Sequence, residues 1–305
     1  MISVVIPAYR EENQIQAALQ KIEGVLATVS EEYEILVIDD GSPDGTWQKI
    51  LDYAAKHPAV KGFRLSRNYG KEYALCAGLD KARGDAVAVM DADLQHPPAL
   101  LPEMIRLWKE QKYDVVEAVK TARPKESPIL KYGAAFFYGF LSRITRFDFA
   151  GSSDYKLLDR KVIAAWKSMG EHVTFFRGMT AWLGFRRRQI LFETPERASG
   201  KSGWPLPALF RLAINAATSF TSMPLRVVTG MGIVFLLFTA VMACQTMYMK
   251  LSGRAVSGFT TVILLILLTG SIIMFALGIL GEYLAKIYEE VKKRPRYVVA
   301  ESINA

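Results

Sequence analysis

Two carboxylates separated by a single residue, Asp91 and Asp93, have the spacing that points most directly to chemistry. They follow the apolar run 86–90, which predicts a buried strand. Alternate side chains of an extended segment share one face, so both carboxylates should point the same way. Hard oxygen ligands of this kind suit Mg²⁺ or Mn²⁺ beside a diphosphate. Because a D-x-D pattern is also common in surface loops, its place at a strand end is what favours a metal site.

A second acidic pair, Asp39 and Asp40, ends the β-branched run 34–39. Two successive carboxylates at a strand end would suit the hydroxyls or the base edge of a nucleoside. The turn that follows contains Asp44, for which capping of the next helix is the simpler interpretation.

A basic pair, Arg67 and Lys71, flanks Gly70 just before a predicted helix. Backbone N–H groups at a helix start and nearby cations bind phosphate readily. This segment taken alone is equally compatible with a solvated loop.

These polar segments need a sheet to bring them together, and the first 120 residues alternate strand and helix patterns. Strands are predicted at 3–7, 34–39, 60–66 and 86–91, and helices at 12–29, 46–56 and 71–82. Such alternation predicts an α/β fold with a mainly parallel sheet, in which ligands bind at the carboxyl ends of the strands. Beyond residue 120, a helix is predicted at 130–145 and strands at 152–158 and 185–192.

The C-terminal third is strongly apolar. Overall, 51% of the 305 residues are hydrophobic, and the excess gathers after about residue 226. Runs 227–249 and 255–280 lack charges, and at about 1.5 Å per residue each could cross a ~30 Å hydrocarbon layer. Two buried helices of a soluble protein are the alternative. Residues 205–226 are amphipathic, which predicts a segment at the membrane surface.

The charge pattern gives an orientation. The net charge is +8, and the densest basic cluster, at 292–296, lies in a predicted basic tail, 282–305. Basic residues flanking apolar spans favour the cytoplasmic side, so both termini are expected there. The other positive charges are dispersed, which argues against nucleic acid as a partner. Two cysteines imply no disulfide framework and fit a reducing compartment.

Several motifs fall in the order and spacing of family 2 glycosyltransferases. They are V-I-P-A-Y-R-E-E-N at 5–13, D-D-G-S-P-D-G-T at 39–46, R-N-Y-G-K at 67–71 and D-A-D-L-Q-H-P at 91–97. The chain most resembles the polyprenyl-phosphate glycosyltransferases, a subgroup that includes dolichol-phosphate mannose synthase and bacterial undecaprenyl-phosphate glucosyltransferases. The resemblance reaches the C-terminus through M-P-L-R at 223–226, G-I-L-G-E-Y at 278–283 and R-P-R-Y at 294–297.

The resemblance implies a glycosyltransferase A-type, Rossmann-like domain at 1–204, followed by a transmembrane hairpin at 227–281. It implies nucleotide-sugar binding by Pro7, Tyr9, Glu11, Asp39, Asp40, Arg67, Lys71 and Asp91. It implies a metal site made of Asp91, Asp93 and Gln95, and lipid-phosphate binding by Arg123, Lys125, Arg197, Lys201 and Ser202.

Asp93 and Asp154 would be the catalytic residues, with Asp154 orienting the acceptor or acting as a base. A strand-end or salt-bridge residue is the ordinary interpretation of Asp154. Relatives often have two arginines around the first phosphate site, where this chain has Arg123 and then Lys125. A lysine lacks the bidentate fork of arginine.

The implied reaction moves a sugar, with inversion, from a nucleotide to undecaprenyl phosphate, a step that serves cell-envelope glycans such as lipopolysaccharide. UDP-glucose is the expected donor; UDP-GlcNAc, UDP-galactose and GDP-mannose stay open. The expected setting is the bacterial inner membrane, with a multi-pass anchor and a homo-oligomer, in particular a tetramer. A noncatalytic scaffold that retains the fold is the alternative. A processive polysaccharide synthase is disfavoured because its Gln-x-x-Arg-Trp motif and additional spans are not found.

Overall fold

A computed structural model describes residues 1–29, 31–120, 153–171, 175–192, 223–253 and 258–305. The chain forms two compact units. The first contains the described residues up to Phe192 together with the tail Lys293–Ala305, and the second contains two long helices. The predicted helix at 130–145, most of the amphipathic segment 205–226 and the predicted domain boundary at 204 lie outside the described residues.

The first unit is built on an eight-stranded mixed sheet with the order β7-β5-β6-β4-β1-β2-β3-β8. Its strands are β1 (Ile2–Ala8), β2 (Tyr33–Asp39), β3 (Val60–Leu65), β4 (Ala86–Val89), β5 (Val115–Lys120), β6 (Lys156–Asp159), β7 (Arg187–Phe192) and β8 (Val299–Ile303). The central strands β4, β1, β2 and β3 are parallel to one another. Two antiparallel strands flank them, β6 beside β4 and β8 beside β3.

Helices of the first unit connect these strands. They are α1 (Ile15–Leu26), α2 (Thr46–Ala54), α3 (Lys71–Lys81), α4 (Leu101–Gln111), α5 (Arg160–Met169) and α6 (Phe176–Trp182). Helix α1 buries Ile15, Leu19, Ile22 and Leu26 at helical spacing against the sheet. Helix α3 lies tightly on β1, since a Cβ on Gly78 would come within 2.2 Å of Val5. That close packing fixes where the first residue of α3, Lys71, lies.

The four strands and three helices predicted before residue 120 are confirmed, as is the mainly parallel architecture. The strand predicted at 86–91 is shorter and ends at Val89. Helices α4 to α6 and strand β5 were not predicted. Strand β8 was not predicted either. It lies in the segment that was expected to be a basic tail, and it pairs with β3.

The second unit contains the helices α7 (Met223–Leu251) and α8 (Phe259–Lys292). Within them, Leu225–Leu251 and Leu265–Lys292 have mean hydropathies of 2.3 and 2.1 and are long enough to cross a membrane. Their large apolar side chains are mostly exposed, Leu236, Ile266 and Met274 among them. A soluble core helix would bury such side chains, so this exposure is typical of helices surrounded by lipid. Helix α8 continues twelve residues beyond the predicted end at 280.

Candidate active site

The predicted polar segments lie together where the central strands reach their carboxyl ends, and we call this end of the sheet the edge that carries the site. Ala8 at the end of β1 lies opposite Asp39 at the end of β2. Strand β4 ends beside them, and Val89 pairs with Lys156, the first residue of the antiparallel β6. The chain just after β1, β2 and β4 and just before β6 therefore meets at this edge. It carries Tyr9, Asp40, Asp91 and Asp154, as expected for ligand binding at strand carboxyl ends.

Asp39 and Asp40 are fixed chiefly by backbone N–H groups, and we call them the backbone-held carboxylates. Asp40 accepts hydrogen bonds from the N–H groups of Tyr69 and Gly70, both at 2.8 Å. Asp39 Oδ1 accepts one from Ser42 N–H at 3.1 Å. Burial raises the pKa of both carboxyls, against the opposing effect of these donors. The tight turn after them needs glycine, since Gly41 has a φ of +65° and a Cβ there would meet the backbone of Arg67 at 2.4 Å.

Asp39 has an unusual second oxygen. Its Oδ2 is fully buried and is the only buried side-chain nitrogen or oxygen of the described residues without a hydrogen-bond partner. The nearest cation is Arg64, whose Nε lies 3.5 Å away. An unsatisfied buried acceptor of this kind is costly. It therefore marks a place where a ligand can donate a hydrogen bond.

The loop after β1 completes this side of the edge. Glu11 N–H donates to Thr46 Oγ1 at 2.9 Å. Burial raises the pKa of Glu11, and the nearby charges of Asp93 and Asp91 raise it further. Tyr9 is 39% exposed, while Pro7 lies within β1. The structure thus brings Pro7, Tyr9 and Glu11 to the same edge as the acidic pairs.

Asp91 and Asp154 are held by cationic side chains, and we call them the cation-held carboxylates. Lys71 Nζ lies 2.5 Å from Asp91 Oδ1 and 2.9 Å from Asp154 Oδ2. Arg177 donates two hydrogen bonds to Asp154, from Nε to Oδ1 at 2.7 Å and from Nη2 to Oδ2 at 2.8 Å. Burial alone would raise the pKa of Asp154, but the Arg177 and Lys71 cations outweigh it and hold that pKa well below its usual range.

A buried ion pair lies behind Asp154. Lys156 Nζ contacts Glu117 Oε1 at 3.1 Å and Thr180 Oγ1 at 2.9 Å, and both charged side chains are 1% exposed. The same Glu117 oxygen accepts a hydrogen bond from Ser153 N–H at 2.9 Å. Since Ser153 directly precedes Asp154, this pair fixes the backbone that aims the carboxylate.

A second acid, Glu72, lies beside this cluster. Its carboxylate accepts a hydrogen bond from the N–H of Phe176, the first residue of α6, at 2.7 Å. Burial raises the pKa of Glu72 to about 7, and the charge of Asp154 adds to the effect. Glu72 is thus a group that titrates near neutral pH next to the carboxylate that the cations keep ionised.

The D-x-D segment lies in a turn. The alternation expected for Asp91 and Asp93 is wrong, because extended backbone ends at Val89 and the turn includes Ala92 and Asp93. Asp93 Oδ1 accepts a hydrogen bond from Gln95 N–H at 3.0 Å. The N–H of Asp91 donates to His96 Nδ1 at 3.2 Å, and the His96 ring stacks on Tyr155.

The acidic side chains of the D-x-D segment suit a metal ion that binds together with a phosphate-containing ligand. Within the ranges the structure describes, no three His, Cys, Asp or Glu side chains form a ready cage for a cation. Mg²⁺ typically uses one or two carboxylates and completes its shell with phosphate oxygens and water. Asp91 and Asp93 can supply that pair, with Gln95 adjacent.

The remaining predicted residues divide into two groups. Arg67 is exposed and lies over the Tyr69 ring, 4.3 Å from its centroid, close to Asp40. The five predicted lipid-phosphate residues, Arg123, Lys125, Arg197, Lys201 and Ser202, lie outside the described residues.

Five charged residues of the edge were not predicted, namely Arg64, Glu72, Glu117, Lys156 and Arg177. Arg177 and Glu117 could have been suspected, because each is a charge inside an otherwise apolar segment. Arg64 had no such signal, since polar residues that alternate with apolar ones are ordinary in a strand near the side of a sheet.

The open, mainly parallel sheet with carboxylates at its edge defines a glycosyltransferase A-type domain. Among solved structures, a mannosyl-3-phosphoglycerate synthase from Rubrobacter xylanophilus has a similar fold, with a TM-score of 0.50 at 18% identity over 74% of each chain.

Relatives in sequence are closer. The model of Glycosyl transferase family 2 matches residues 3–160. The bactoprenol glucosyl transferase of Shigella phage SfII is 34% identical over 309 residues, 99% of this chain and 98% of the relative. The uncharacterized glycosyltransferase YkcC of Bacillus subtilis is 37% identical over 302 residues, 98% and 93% of the two chains. The chain belongs to glycosyltransferase family 2, and it is a glycosyltransferase.

Proposed function

We propose that this glycosyltransferase moves a sugar, glucose from UDP-glucose, to a polyprenyl phosphate at the cytoplasmic face of a membrane. The observation that carries the proposal is the shared sheet edge. It combines the buried carboxylates of Asp39 and Asp40 with a D-x-D pair in a family 2 fold. Two Shigella phage relatives named bactoprenol glucosyl transferases, and an Escherichia coli relative named a homolog of one, support the lipid acceptor. The two apolar helices supply a membrane anchor.

The donor would bind across the two kinds of carboxylate. Asp39 Oδ2 would accept a hydrogen bond from the base or ribose, and Asp40 would hold the loop that carries Arg67 and Gly70 against the nucleotide. Asp91 and Asp93, with Gln95, would hold Mg²⁺ or Mn²⁺ against the diphosphate. When bound, the metal would offset the charge of the leaving diphosphate.

Transfer would be a direct displacement at the anomeric carbon. A phosphate oxygen of the lipid forms the new bond to C1 as the bond from C1 to the diphosphate oxygen breaks. The nucleoside diphosphate leaves with that electron pair, and the configuration inverts. Since the lipid phosphate is already anionic, no base is required, and catalysis depends on positioning.

Asp154 would therefore orient groups and not accept a proton. Arg177 and Lys71 engage both of its oxygens and keep it ionised. Arg177 is 39% exposed, so it can face the reacting phosphates while Asp154 fixes its direction. Arg123, Lys125, Arg197, Lys201 and Ser202 stay predictions for the lipid phosphate. A tetramer also stays a prediction, which light scattering of the purified chain in detergent would check.

The deciding experiment incubates the purified full chain in detergent with Mg²⁺, labelled UDP-glucose and a polyprenyl phosphate. A lipid-linked monosaccharide is the expected product. A polymer would instead identify a synthase, and no transfer with any of UDP-glucose, UDP-GlcNAc, UDP-galactose and GDP-mannose would indicate a scaffold. Product from another donor alone would keep the reaction and replace the sugar.

Orientation can be tested separately. Replacing Cys76 and Cys244 and introducing Ser252→Cys places one thiol between α7 and α8. An impermeant maleimide should label it from outside intact cells. Labelling only after the cells are opened would reverse the proposed topology.

A further inference from the structure

The C-terminal strand contributes a charge that reaches toward the predicted nucleoside pocket. Strand β8 pairs with β3 in antiparallel register, with Glu301 opposite Arg64. Glu301 Oε1 accepts a hydrogen bond from Arg64 Nη1 at 2.9 Å, and its Oε2 accepts one from Trp47 Nε1 at 3.0 Å. Glu301 is thus held from two sides, and it in turn determines where the guanidinium of Arg64 lies.

Arg64 lies between Glu301 and Asp39 Oδ2, the buried oxygen without a hydrogen-bond partner. Its Nη2 donates to the carbonyl of Ser42 at 3.4 Å, and its Nε lies 3.5 Å from Asp39 Oδ2 without making a hydrogen bond. The guanidinium is therefore close enough to balance the charge of Asp39. It leaves the oxygen free to accept a hydrogen bond from something else.

Two acids compete for one guanidinium in this arrangement. A bond from arginine to a buried carboxylate is charge-assisted and strong, so an unrestrained Arg64 would turn toward Asp39 and close onto Oδ2. The bonds to Glu301 and Ser42 oppose that movement. Without Glu301, a nucleoside would have to displace Arg64 before it could use Oδ2.

We propose that Glu301, from the strand that follows the membrane-spanning helices, is a positioning residue of the nucleotide site. It holds Arg64 back from Asp39 and so keeps Oδ2 open for the donor nucleotide. This inference rests on the proposed function, in which Asp39 lines the nucleoside pocket.

The alternative is that β8 only pairs with β3 and has no role at the nucleotide site. Two other contacts also hold the tail in place and lie away from Asp39. Asn304 Nδ2 donates to the carbonyls of Ala54 and Val60 at 2.9 and 3.0 Å, and Tyr297 donates to Asp80 Oδ2 at 2.9 Å. They provide matched control variants, because they loosen the tail without touching Arg64.

The test measures binding of UDP to the full chain in detergent, by calorimetry in the presence of Mn²⁺. Glu301→Gln should raise the Kd about threefold to tenfold, while Tyr297→Phe and Asn304→Ala leave it unchanged. In an Arg64→Gln background, Glu301→Gln should have no further effect. An unchanged Kd for Glu301→Gln, an equal rise in the two control variants, or additive effects with Arg64→Gln would each overturn the inference. Failure of the unaltered chain to bind UDP would instead contradict the proposed donor.

Discussion

The two kinds of carboxylate at the sheet edge are fixed in different ways. Asp39 and Asp40 are buried and accept hydrogen bonds from backbone N–H groups of neighbouring loops. Asp91 and Asp154 are held by Lys71 and Arg177. Backbone donors cannot leave without unfolding the loops, whereas flexible cations can exchange one anionic partner for another. The first pair is therefore suited to recognising a ligand of fixed shape, and the second to a site where charge is rearranged.

In the proposed function, the metal and the diphosphate would lie on the cation-held side. A metal ion held by Asp91 and Asp93 would compete with the ammonium of Lys71 for the Asp91 carboxylate. Lys71 would keep Asp154 as its partner and would be free to turn toward the diphosphate. Such a rearrangement would move one side chain and would not require the backbone to change.

The largest effect is expected at the D-x-D turn. Asp93→Asn removes a charged ligand of the predicted metal and should lower sugar transfer by at least about 100-fold. Thermal unfolding should stay as in the unaltered chain, because Asp93 contributes one hydrogen bond to Gln95 N–H. Asp52→Asn, an exposed change on α2, is the control for transfer measured with labelled donor. Near-normal metal-dependent transfer by Asp93→Asn would remove the metal assignment.

A smaller loss is expected at Arg177. Arg177→Gln leaves Asp154 with Lys71 alone and should lower transfer by about 10- to 100-fold. Arg177→Lys restores the charge without the bidentate fork, so its transfer rate should lie between those of the unaltered chain and of Arg177→Gln. The rate should be measured at saturating donor, with the exposed Arg188→Gln as control. Equal rates for the lysine and glutamine variants would show that the fork has no role.

The smallest effect concerns stability and comes from Glu72, whose pKa is raised to about 7 from 4.5. The folded chain holds this proton more tightly than the unfolded chain does. Its contribution to stability is therefore complete below about pH 4.5 and is lost as the pH rises through 7. Between pH 5 and 8, ionisation of Glu72 should lower the free energy of unfolding by up to about 2–3 kcal/mol. Glu72→Gln cannot ionise and should not show this decrease.

Thermal melts of the full chain at pH 5 and pH 8 would show this change. The melting temperature of the unaltered chain should drop relative to that of Glu72→Gln at the higher pH. The exposed Glu103→Gln should behave like the unaltered chain at both values. Parallel pH profiles for all three would place the pKa of Glu72 in its ordinary range.

The sequence predicted the central sheet because hydrophobic period and turn residues reinforce each other there. Strands β1, β2 and β4 contain short apolar runs, and β3 mixes apolar and polar residues. Each of the four ends in a polar segment that the sheet brings to one edge. The antiparallel strands were harder to predict, because β8 is separated from its partner β3 by more than 230 residues and contains Glu301 and Ser302. Nothing local in such a segment indicates pairing.

The charged residues that were missed at the site are likewise brought there by contacts between segments distant in the chain. Asp91 and Asp93 were singled out by their spacing and Asp154 by the family resemblance, and Lys71 contacts both Asp91 and Asp154 in the structure. Their other partners were not singled out, since Arg177 and Glu72 reach Asp154 and α6 only through tertiary packing. The segment that contains Asp91 and Asp93 was mistaken for extended backbone because β4 ends at Val89, two residues before the predicted strand end at 91.

The division between the two carboxylate pairs can be tested most directly by measuring UDP binding and sugar transfer separately in Asp39→Asn and Asp154→Asn. We expect Asp39→Asn to weaken UDP binding at least about tenfold. We expect Asp154→Asn to bind UDP as the unaltered chain does while transferring sugar at least about 100-fold more slowly. Equal losses of binding in the two variants, or normal transfer by Asp154→Asn, would contradict the account.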